Sequence, residues 1–145
     1  YIGTNPETLD AKNPLPFTIK KEIMETLCPE IVGHIIKAHN LFTMITEVYN
    51  NHGGNNVIHV YTDESWLSES LNKYNGVCSK HGYYKFHEIV LFPTPRICSS
   101  TELRESVKNK DSFRFYQLSG IPKDTEISIN NNVYKIFDII EDFIS

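Results

Sequence analysis

The feature that most constrains the fold is a β-rich run, Val57–Thr62, which follows a glycine-rich turn and delivers an acidic residue, Asp63. Its side chains alternate between two faces and polar residues end it, which predicts a buried strand. The Asn-rich and Gly-rich segment 50–56 breaks any helix that precedes it. An aspartate at the end of such a strand is held by rigid backbone, where a metal ligand works best. The run therefore predicts a sheet with Asp63 as a candidate ligand at one edge.

The chain has the size and composition of a folded domain. Its 145 residues are 40% hydrophobic and 12% aromatic, which excludes a disordered segment. We expect neither a transmembrane helix nor a signal peptide, and the start at Tyr1 suggests a piece of a longer polypeptide. The cysteines, at positions 28, 78 and 98, are odd in number and far apart. They predict reduced thiols, as in the cytoplasm or nucleus, rather than disulfides or a zinc site.

Charge is distributed unevenly along the chain. The net charge is −4, yet residues 79–123 carry eight basic and four acidic residues. A nucleic-acid surface is therefore expected only in this middle third. A solvated surface of mixed charge remains the alternative interpretation of the same cluster.

The first fifty residues differ in character from the rest. Residues 1–16 hold three prolines and few apolar residues, which predicts an arm or linker. Residues 17–50 predict a helical pair, the first helix capped by Thr18 and the second running from Pro29 to about Tyr49.

The remaining residues, 57–145, predict an α/β domain. After the opening strand, the pattern predicts the following elements in order: a turn-like stretch at Trp66–Asn75, a short strand around Gly76–Cys78, a strand at Tyr83–Phe92, a helix from about Ser100 to Gly120 capped by Ser99, Ser100 or Thr101, a strand at Thr125–Ile129 and a helix at Val133–Ile144. Hairpin-connected strands followed by a β-α-β-α alternation indicate a mixed β-sheet flanked by helices.

The candidate chemistry rests on carboxylates from separate elements. Cleavage of a phosphodiester by two metal ions, ~3.5–4 Å apart, needs several oxygen ligands and a bridging carboxylate. Asp63 ends the first strand, and Glu102 lies in the first turn of a later helix. A third acid would be expected after the strand Glu126–Ile129, where the chain instead has Asn130.

The order of these motifs resembles the ribonuclease H family. Tyr61–Ser65 resembles the opening Y-T-D-G-S strand of that family, with Glu64 where glycine is usual. Ser100–Leu103 resembles the helix that brings the conserved glutamate, and Ile121–Asn131 resembles the next strand, which normally ends in T-D-S. The resemblance covers about residues 57–140 and is greatest to the ribonuclease H domains of retrotransposon polyproteins.

The resemblance implies a ribonuclease H-like fold that hydrolyses RNA in an RNA–DNA hybrid with Mg²⁺ or Mn²⁺. It implies that Asp63 and Glu102 are metal ligands and that Asn130 occupies a weakened third catalytic position. The basic residues expected to contact phosphates are Lys80, Lys85, Arg104 and Lys108.

Two departures from the family favour a second hypothesis from another class. Asn130 supplies no negative charge, and the family's last strand and helix, which bring a fourth acid, have no counterpart before Ser145. Candidate substitutes for the fourth acid are Asp138, Glu141 and Asp142. The second hypothesis is a catalytically inactive ribonuclease H-like fold that serves a viral or transposon polypeptide as an interaction module. Its partner would be nucleic acid, or a protein bound through the N-terminal helices or the C-terminal helix, and not a membrane.

Other candidate residues favour simple structural roles. The histidines form no HxxxH or HExxH pattern, so surface or strand positions are expected for them. The aromatic residues Trp66, Tyr83, Tyr84 and Phe86 could stack on bases, but packing within the fold is the favoured interpretation.

Overall fold

The computed structural model describes residues 1–4, 14–95 and 99–144 of the chain. Helices and short strands alternate along these residues, which confirms the general α/β class predicted from the sequence. Most of the predicted arm over residues 1–16 lies outside the described residues, and its first residues form a short strand. No helix among the described residues combines the length and the apolar character needed to cross a membrane.

The helices and strands have the following bounds in chain order: β1 (Ile2–Thr4), α1 (Phe17–Leu27), β2 (Ile35–Lys37), α2 (Leu41–His52), β3 (Val57–Thr62), α3 (Ser68–Lys73), β4 (Glu88–Pro93), α4 (Ser100–Lys108), α5 (Ser112–Ser119), β5 (Glu126–Ile129), β6 (Asn132–Lys135) and α6 (Ile136–Ile144). They form two compact units. The first unit contains β1, β2, α2, β3, α3 and β4, and the second contains α1, α4, α5, β5, β6 and α6.

The described strands form two-stranded sheets instead of the single mixed sheet that the pattern predicts. β1 pairs with β2 and β3 pairs with β4, both in parallel, whereas β5 and β6 are antiparallel. The sheet of β3 and β4 runs in register from the pair Val57 and Glu88 to the pair Thr62 and Pro93. The predicted series of hairpins, with a short strand around Gly76–Cys78, is wrong, because residues 76–78 form no strand and β3 pairs directly with β4 in parallel. The connection over residues 63–87 is long enough for the crossover that parallel strands need.

The strand predicted at Tyr83–Phe92 begins later, at Glu88. The Asn75 side chain hydrogen-bonds to both backbone groups of Phe86. It accepts from the Phe86 N–H at 2.8 Å and donates to the Phe86 carbonyl at 3.0 Å. These two bonds use the groups that would otherwise join a sheet ladder. Tyr84 and Phe86 are consequently buried in an irregular segment.

The stretch Trp66–Asn75, predicted to be turn-like, contains a short 3₁₀ turn followed by α3. Leu71, on α3, is fully buried. The Tyr84 hydroxyl donates to the Leu71 carbonyl at 2.7 Å, and so satisfies an acceptor in the last turn of the helix. The burial of Leu71 and the bond to its carbonyl stabilise α3. The mostly polar sequence of α3 does not by itself indicate a helix.

The second helix predicted for the N-terminal pair starts at Leu41 rather than at Pro29. Pro29 opens only one 3₁₀ turn, and Gly33, at φ 80°, ends that segment before β2. The Asn40 side chain then caps α2 by accepting from the Thr43 N–H at 2.9 Å.

One hydrophobic core holds the first unit together. It collects buried side chains from α2, β3, α3 and β4 together with the segment before β4, namely Phe42, Ile45, Val60, Leu71, Tyr84, Phe86 and Ile89. The helical period predicts a buried stripe of Ile31, Ile35, Phe42 and Ile45. Phe42 and Ile45 are buried on α2, whereas Ile31 and Ile35 lie outside that helix and are only partly buried.

The second unit is built from capped helices and a hairpin. Ser99, one of the three predicted candidates, caps α4, and the left-handed Gly120, at φ 74°, ends α5 as predicted. The predicted single helix is divided, because Asp111 accepts from the Arg114 N–H at 3.0 Å and caps α5 separately.

The predicted C-terminal helix begins at Ile136 rather than at Val133. Val133 lies on β6, where it is 64% exposed, since Asn130 and Asn131 turn the chain back on β5. Ile136 and Phe137 are buried, as the sequence predicts. This unit has two hydrophobic clusters, one of Ile23, Ile127, Ile136 and Ile139 and the other of Val107, Phe115 and Phe137.

The bond between the Tyr84 hydroxyl and the Leu71 carbonyl predicts a measurable loss of stability. Burial raises the pKa of Tyr84, so its hydroxyl remains a donor at neutral pH. Tyr84→Phe keeps the ring and leaves the buried carbonyl without this donor. We expect the free energy of unfolding, measured by urea denaturation, to fall by about 1–3 kcal/mol. Tyr83→Phe is the matched control, since Tyr83 is 39% exposed and its change should stay within about 0.5 kcal/mol. Equal effects of both substitutions would contradict the role given to the buried hydroxyl.

Candidate functional site

Asp63 lies directly after β3, at the carboxyl end of a parallel strand pair. This is the position that the sequence predicts, and its side chain is exposed. The next residue, Glu64, is half-buried, and its N–H donates to the Thr62 hydroxyl at 3.1 Å. That bond fixes the turn after the strand, so two carboxylates leave the same edge from an ordered backbone.

A cleft of about 510 Å³ opens beside these two carboxylates. Its lining comes from β1, the N-terminal end of α2 and the end of β3, all within the first unit. The polar side chains of the lining include His39, Asn40, Asp63 and Glu64. In open α/β sheets, ligands bind in the crevice outside the carboxyl ends of the strands, and this cleft has that position.

A second concavity of about 630 Å³ also has Asp63 in its lining. Its other lining residues are Trp66 and the segment Pro93–Pro95 at the end of β4. Trp66 is 71% exposed, so its ring is available at this surface. Asp63 thus borders both concavities.

Glu102 belongs to the second unit, and the structure gives it a role within its own helix. Its backbone N–H donates to the Ser99 hydroxyl at 3.1 Å, and its carboxylate accepts from the Ser99 N–H at 3.5 Å. This reciprocal pair is a capping box. The glutamate that resembles a metal ligand is therefore also explained by the start of α4.

Asn130 stands at the tip of the hairpin between β5 and β6, and it is exposed. Asn130 and Asn131 have φ angles of 52° and 67°, in the left-handed region that asparagine tolerates better than most residues. A two-residue turn of this kind favours asparagine at both positions. The residue in the third catalytic position of the family pattern is therefore also explained by local backbone geometry.

The basic residues proposed for phosphate contacts divide between the two units. Lys80 and Lys85 are exposed in the first unit, whereas Arg104 and Lys108 lie on α4 in the second. Arg104 donates to the Thr101 hydroxyl at 3.2 Å. Each unit thus carries two of the four residues.

The other candidates take the structural roles that the sequence favours, with one exception. Tyr84 and Phe86 are buried, and the ring of His81 stacks on Phe42 with a centroid distance of 4.2 Å. Tyr83 is 39% exposed and packs edge-on against Tyr49. Trp66 is the exception, because most of its surface remains exposed beside Asp63.

Among the described residues, no three His, Cys, Asp or Glu side chains come together as a metal-binding group. This statement covers the candidate substitutes Asp138, Glu141 and Asp142 on α6. The described cysteines, Cys28 and Cys78, are free thiols, and the third cysteine lies outside the described residues.

Two residues of the cleft beside Asp63 escaped the sequence reasoning. In the sequence pattern, Glu64 is only a departure from the family motif, although it contributes a second carboxylate to the lining. His39 lies before the cap of α2, and its contribution depends on β1 and β2, which the sequence pattern did not predict. The cap of α2 by Asn40 was the available signal, because it places the start of that helix at the same edge.

No family model matches the chain, and neither the curated proteins nor the solved structures yield a significant match.

The hairpin tip generates a prediction that separates a backbone role of Asn130 from a ligand role. Asn130→Ala puts a residue with a β-carbon and no polar group at a φ of 52°, where the β-carbon is strained. Asn130→Gly has no β-carbon and adopts this left-handed conformation without strain. We expect alanine to lower the free energy of unfolding by about 1 kcal/mol and glycine to leave it unchanged or raise it. Thermal unfolding followed by circular dichroism measures both variants. If glycine lowers the free energy of unfolding as much as alanine does, the amide of Asn130, which both variants lack, has a role beyond the turn.

Proposed function

We propose that this chain is a ribonuclease H-like domain that hydrolyses phosphodiester bonds of RNA paired with DNA, with Mg²⁺ or Mn²⁺ as cofactor. The observation that carries the proposal is the position of Asp63, which leaves an ordered strand end beside a cleft at the carboxyl edge of parallel strands. The order of motifs from Tyr61–Ser65 to Ile121–Asn131 is its support from the sequence.

The residues at this edge suit a hard divalent cation. Mg²⁺ is usually held by one or two carboxylates, while waters and substrate phosphates complete its coordination. Asp63 and Glu64 supply two carboxylates to the same cleft, which fits that donor set. When bound, such an ion would supply Lewis-acid stabilisation of the phosphoryl oxygens and a more acidic water.

The chain's own residues would then divide the work. Asp63 and Glu64 would hold the ion from the first unit, and Glu102 is a further ligand that only the family resemblance implies. Asn130, in the third position, would offer an amide oxygen without charge, so metal affinity would be lower than with three carboxylates. Lys80, Lys85, Arg104 and Lys108 would neutralise phosphates of the hybrid.

A second candidate function is a catalytically inactive module that binds nucleic acid or a protein within a larger viral or transposon polypeptide. The observation that favours it is that Glu102 and Asn130 both have local explanations, in a capping box and in a left-handed turn. A chain that keeps the order of the motifs but lacks the metal ligands would retain the fold and a binding surface and would lose the hydrolytic activity.

Cleavage of a labelled RNA–DNA hybrid tests the first function against the second. With Mn²⁺ or Mg²⁺, the wild-type protein should cut the RNA strand, and Asp63→Asn should lower the rate by at least about 100-fold, because a metal ligand loses its charge. Glu102→Gln is a sharper probe than alanine, since glutamine can still complete the capping box. Loss of cleavage in Glu102→Gln would therefore report the missing charge rather than an unfolded helix.

The controls must separate an inactive domain from an inactive preparation. Glu105→Gln, an exposed change on the same helix and outside the proposed site, should leave cleavage unchanged. Absence of cleavage together with no rise in melting temperature on adding Mn²⁺ would overturn the nuclease proposal. If the protein does not cleave the hybrid but binds it in EDTA, this result would support the catalytically inactive binding module.

A further inference from the structure

One edge of β3 pairs with no strand in the part of the chain that the structure describes. The Asn56 carbonyl accepts from the His87 N–H at 3.1 Å, and the Thr62 carbonyl accepts from the Thr94 N–H at 2.8 Å. Even-numbered residues of β3 therefore direct their backbone groups to β4 at both ends of the strand. Since the groups alternate along a strand, the odd-numbered residues direct theirs away from β4. These are Val57, His59 and Tyr61, and no strand among the described residues pairs with that edge.

A groove follows the open edge. A cavity of about 380 Å³ is lined by the five consecutive residues Val57–Tyr61. A sheet face would present only alternate residues, so an uninterrupted run indicates that the cavity lies along the edge. The other lining residues are mainly apolar side chains of α2, namely Leu41, Met44, Ile45 and Val48.

The groove continues toward the acidic end of β3. Tyr1, Leu41, Met44 and Tyr61 line both this cavity and the cleft beside Asp63 and Glu64. The described β1 residues also border that cleft. Gly3 lies between Ile2 and Thr4, whose backbones bond to β2, so its own backbone groups point away from β2.

The edge has none of the features that keep exposed strands from pairing. Natural edges are blunted by lysine, proline, bulges or short length. β3 has six residues, pairs with β4 without a bulge and contains neither lysine nor proline. Parallel strands are moreover usually covered and paired on both sides, which makes an open edge at β3 unusual.

We propose that the groove along β3 accepts an extended peptide segment of a partner protein as an added strand, with basic residues at the end that meets Asp63 and Glu64. The backbone groups of Val57, His59 and Tyr61 would bind any extended chain, which explains affinity. The apolar floor of α2 and the two carboxylates at one end would select its side chains.

This inference goes beyond the proposed nuclease function and does not depend on it. The backbone of β3 binds the peptide, whereas the proposed chemistry uses a metal ion at Asp63. Measurements in EDTA remove the ion, so peptide binding and hydrolysis succeed or fail separately.

A synthetic peptide probes the groove directly. The probe is a fluorescein-labelled, end-capped heptapeptide of alternating valine and threonine with lysine at both ends. We expect saturable binding by fluorescence anisotropy, at least about tenfold tighter than for the same peptide with glutamate at both ends. N-methylation of alternate amides, which removes the strand hydrogen bonds, should abolish binding to the wild-type protein.

Two substitutions at one position test the edge of the protein. His59→Pro removes an N–H that points away from β4, which an edge strand tolerates, whereas His59→Ala keeps it. Both variants lose the same contact between the His59 and Phe92 rings, so the difference between their affinities for the peptide reports the N–H of residue 59. We expect His59→Pro to weaken peptide binding by about tenfold relative to His59→Ala, because proline lacks the N–H that would bond the peptide and its ring clashes with the peptide backbone.

Amide hydrogen exchange identifies the occupant. The amides of Val57, His59 and Tyr61 should exchange rapidly in the protein alone and slowly with the lysine peptide bound. Slow exchange without peptide would show that another segment of this chain covers the edge, and would overturn the proposal. Absence of saturable binding up to about 1 mM peptide would also overturn it.

Discussion

The first unit depends on the parallel ladder between β3 and β4. Parallel strands cannot be joined by a tight turn, so the segment between them must cross over and pack on the sheet. That requirement explains why Leu71 and Tyr84, both in the crossover, are fully buried and joined by the hydroxyl-to-carbonyl bond. It also explains why Asp63 emerges at the edge where β3 ends. The position of the candidate site thus follows from a strand pairing in which the carboxylate residues Asp63 and Glu64 take no part.

Local signals in the sequence predicted local structure well. The bounds of the strand at Val57–Thr62, a helix cap near Ser100 and the helix stop at Gly120 depend on neighbouring residues and are confirmed. The burial predicted for that strand is wrong except at Val60. The failures concern features decided by distant contacts. The helix that contains Leu71 is stabilised by a bond from the hydroxyl of Tyr84, thirteen positions away, to the Leu71 carbonyl. Phe86 lies outside the sheet because the Asn75 side chain bonds its backbone N–H and carbonyl. Pairing direction was also missed, since alternation along one strand carries no information about the direction of its neighbour.

The candidate site shows the same division between local and distant information. The sequence placed Asp63 at a strand end, and that position is confirmed. It did not reveal the cleft, whose lining combines residues from β1, α2 and β3. Glu102 and Asn130 fit the family pattern in order, yet each also satisfies a requirement of its own helix or turn. A single sequence cannot separate these roles, because a capping glutamate and a metal-binding glutamate occupy the same position in the helix. The activity therefore remains a proposal that centres on Asp63.

The central claim is that the edge after β3 holds a divalent cation, and paramagnetic broadening by Mn²⁺ tests it most directly. Assigned amide signals in a ¹H–¹⁵N NMR spectrum report which residues lie near the bound ion. We predict that substoichiometric Mn²⁺ broadens the signals of Thr62, Asp63 and Glu64 first, and that Asp63→Asn abolishes this effect. Broadening that begins in residues 138–142, or that is unchanged in Asp63→Asn, would contradict the claim.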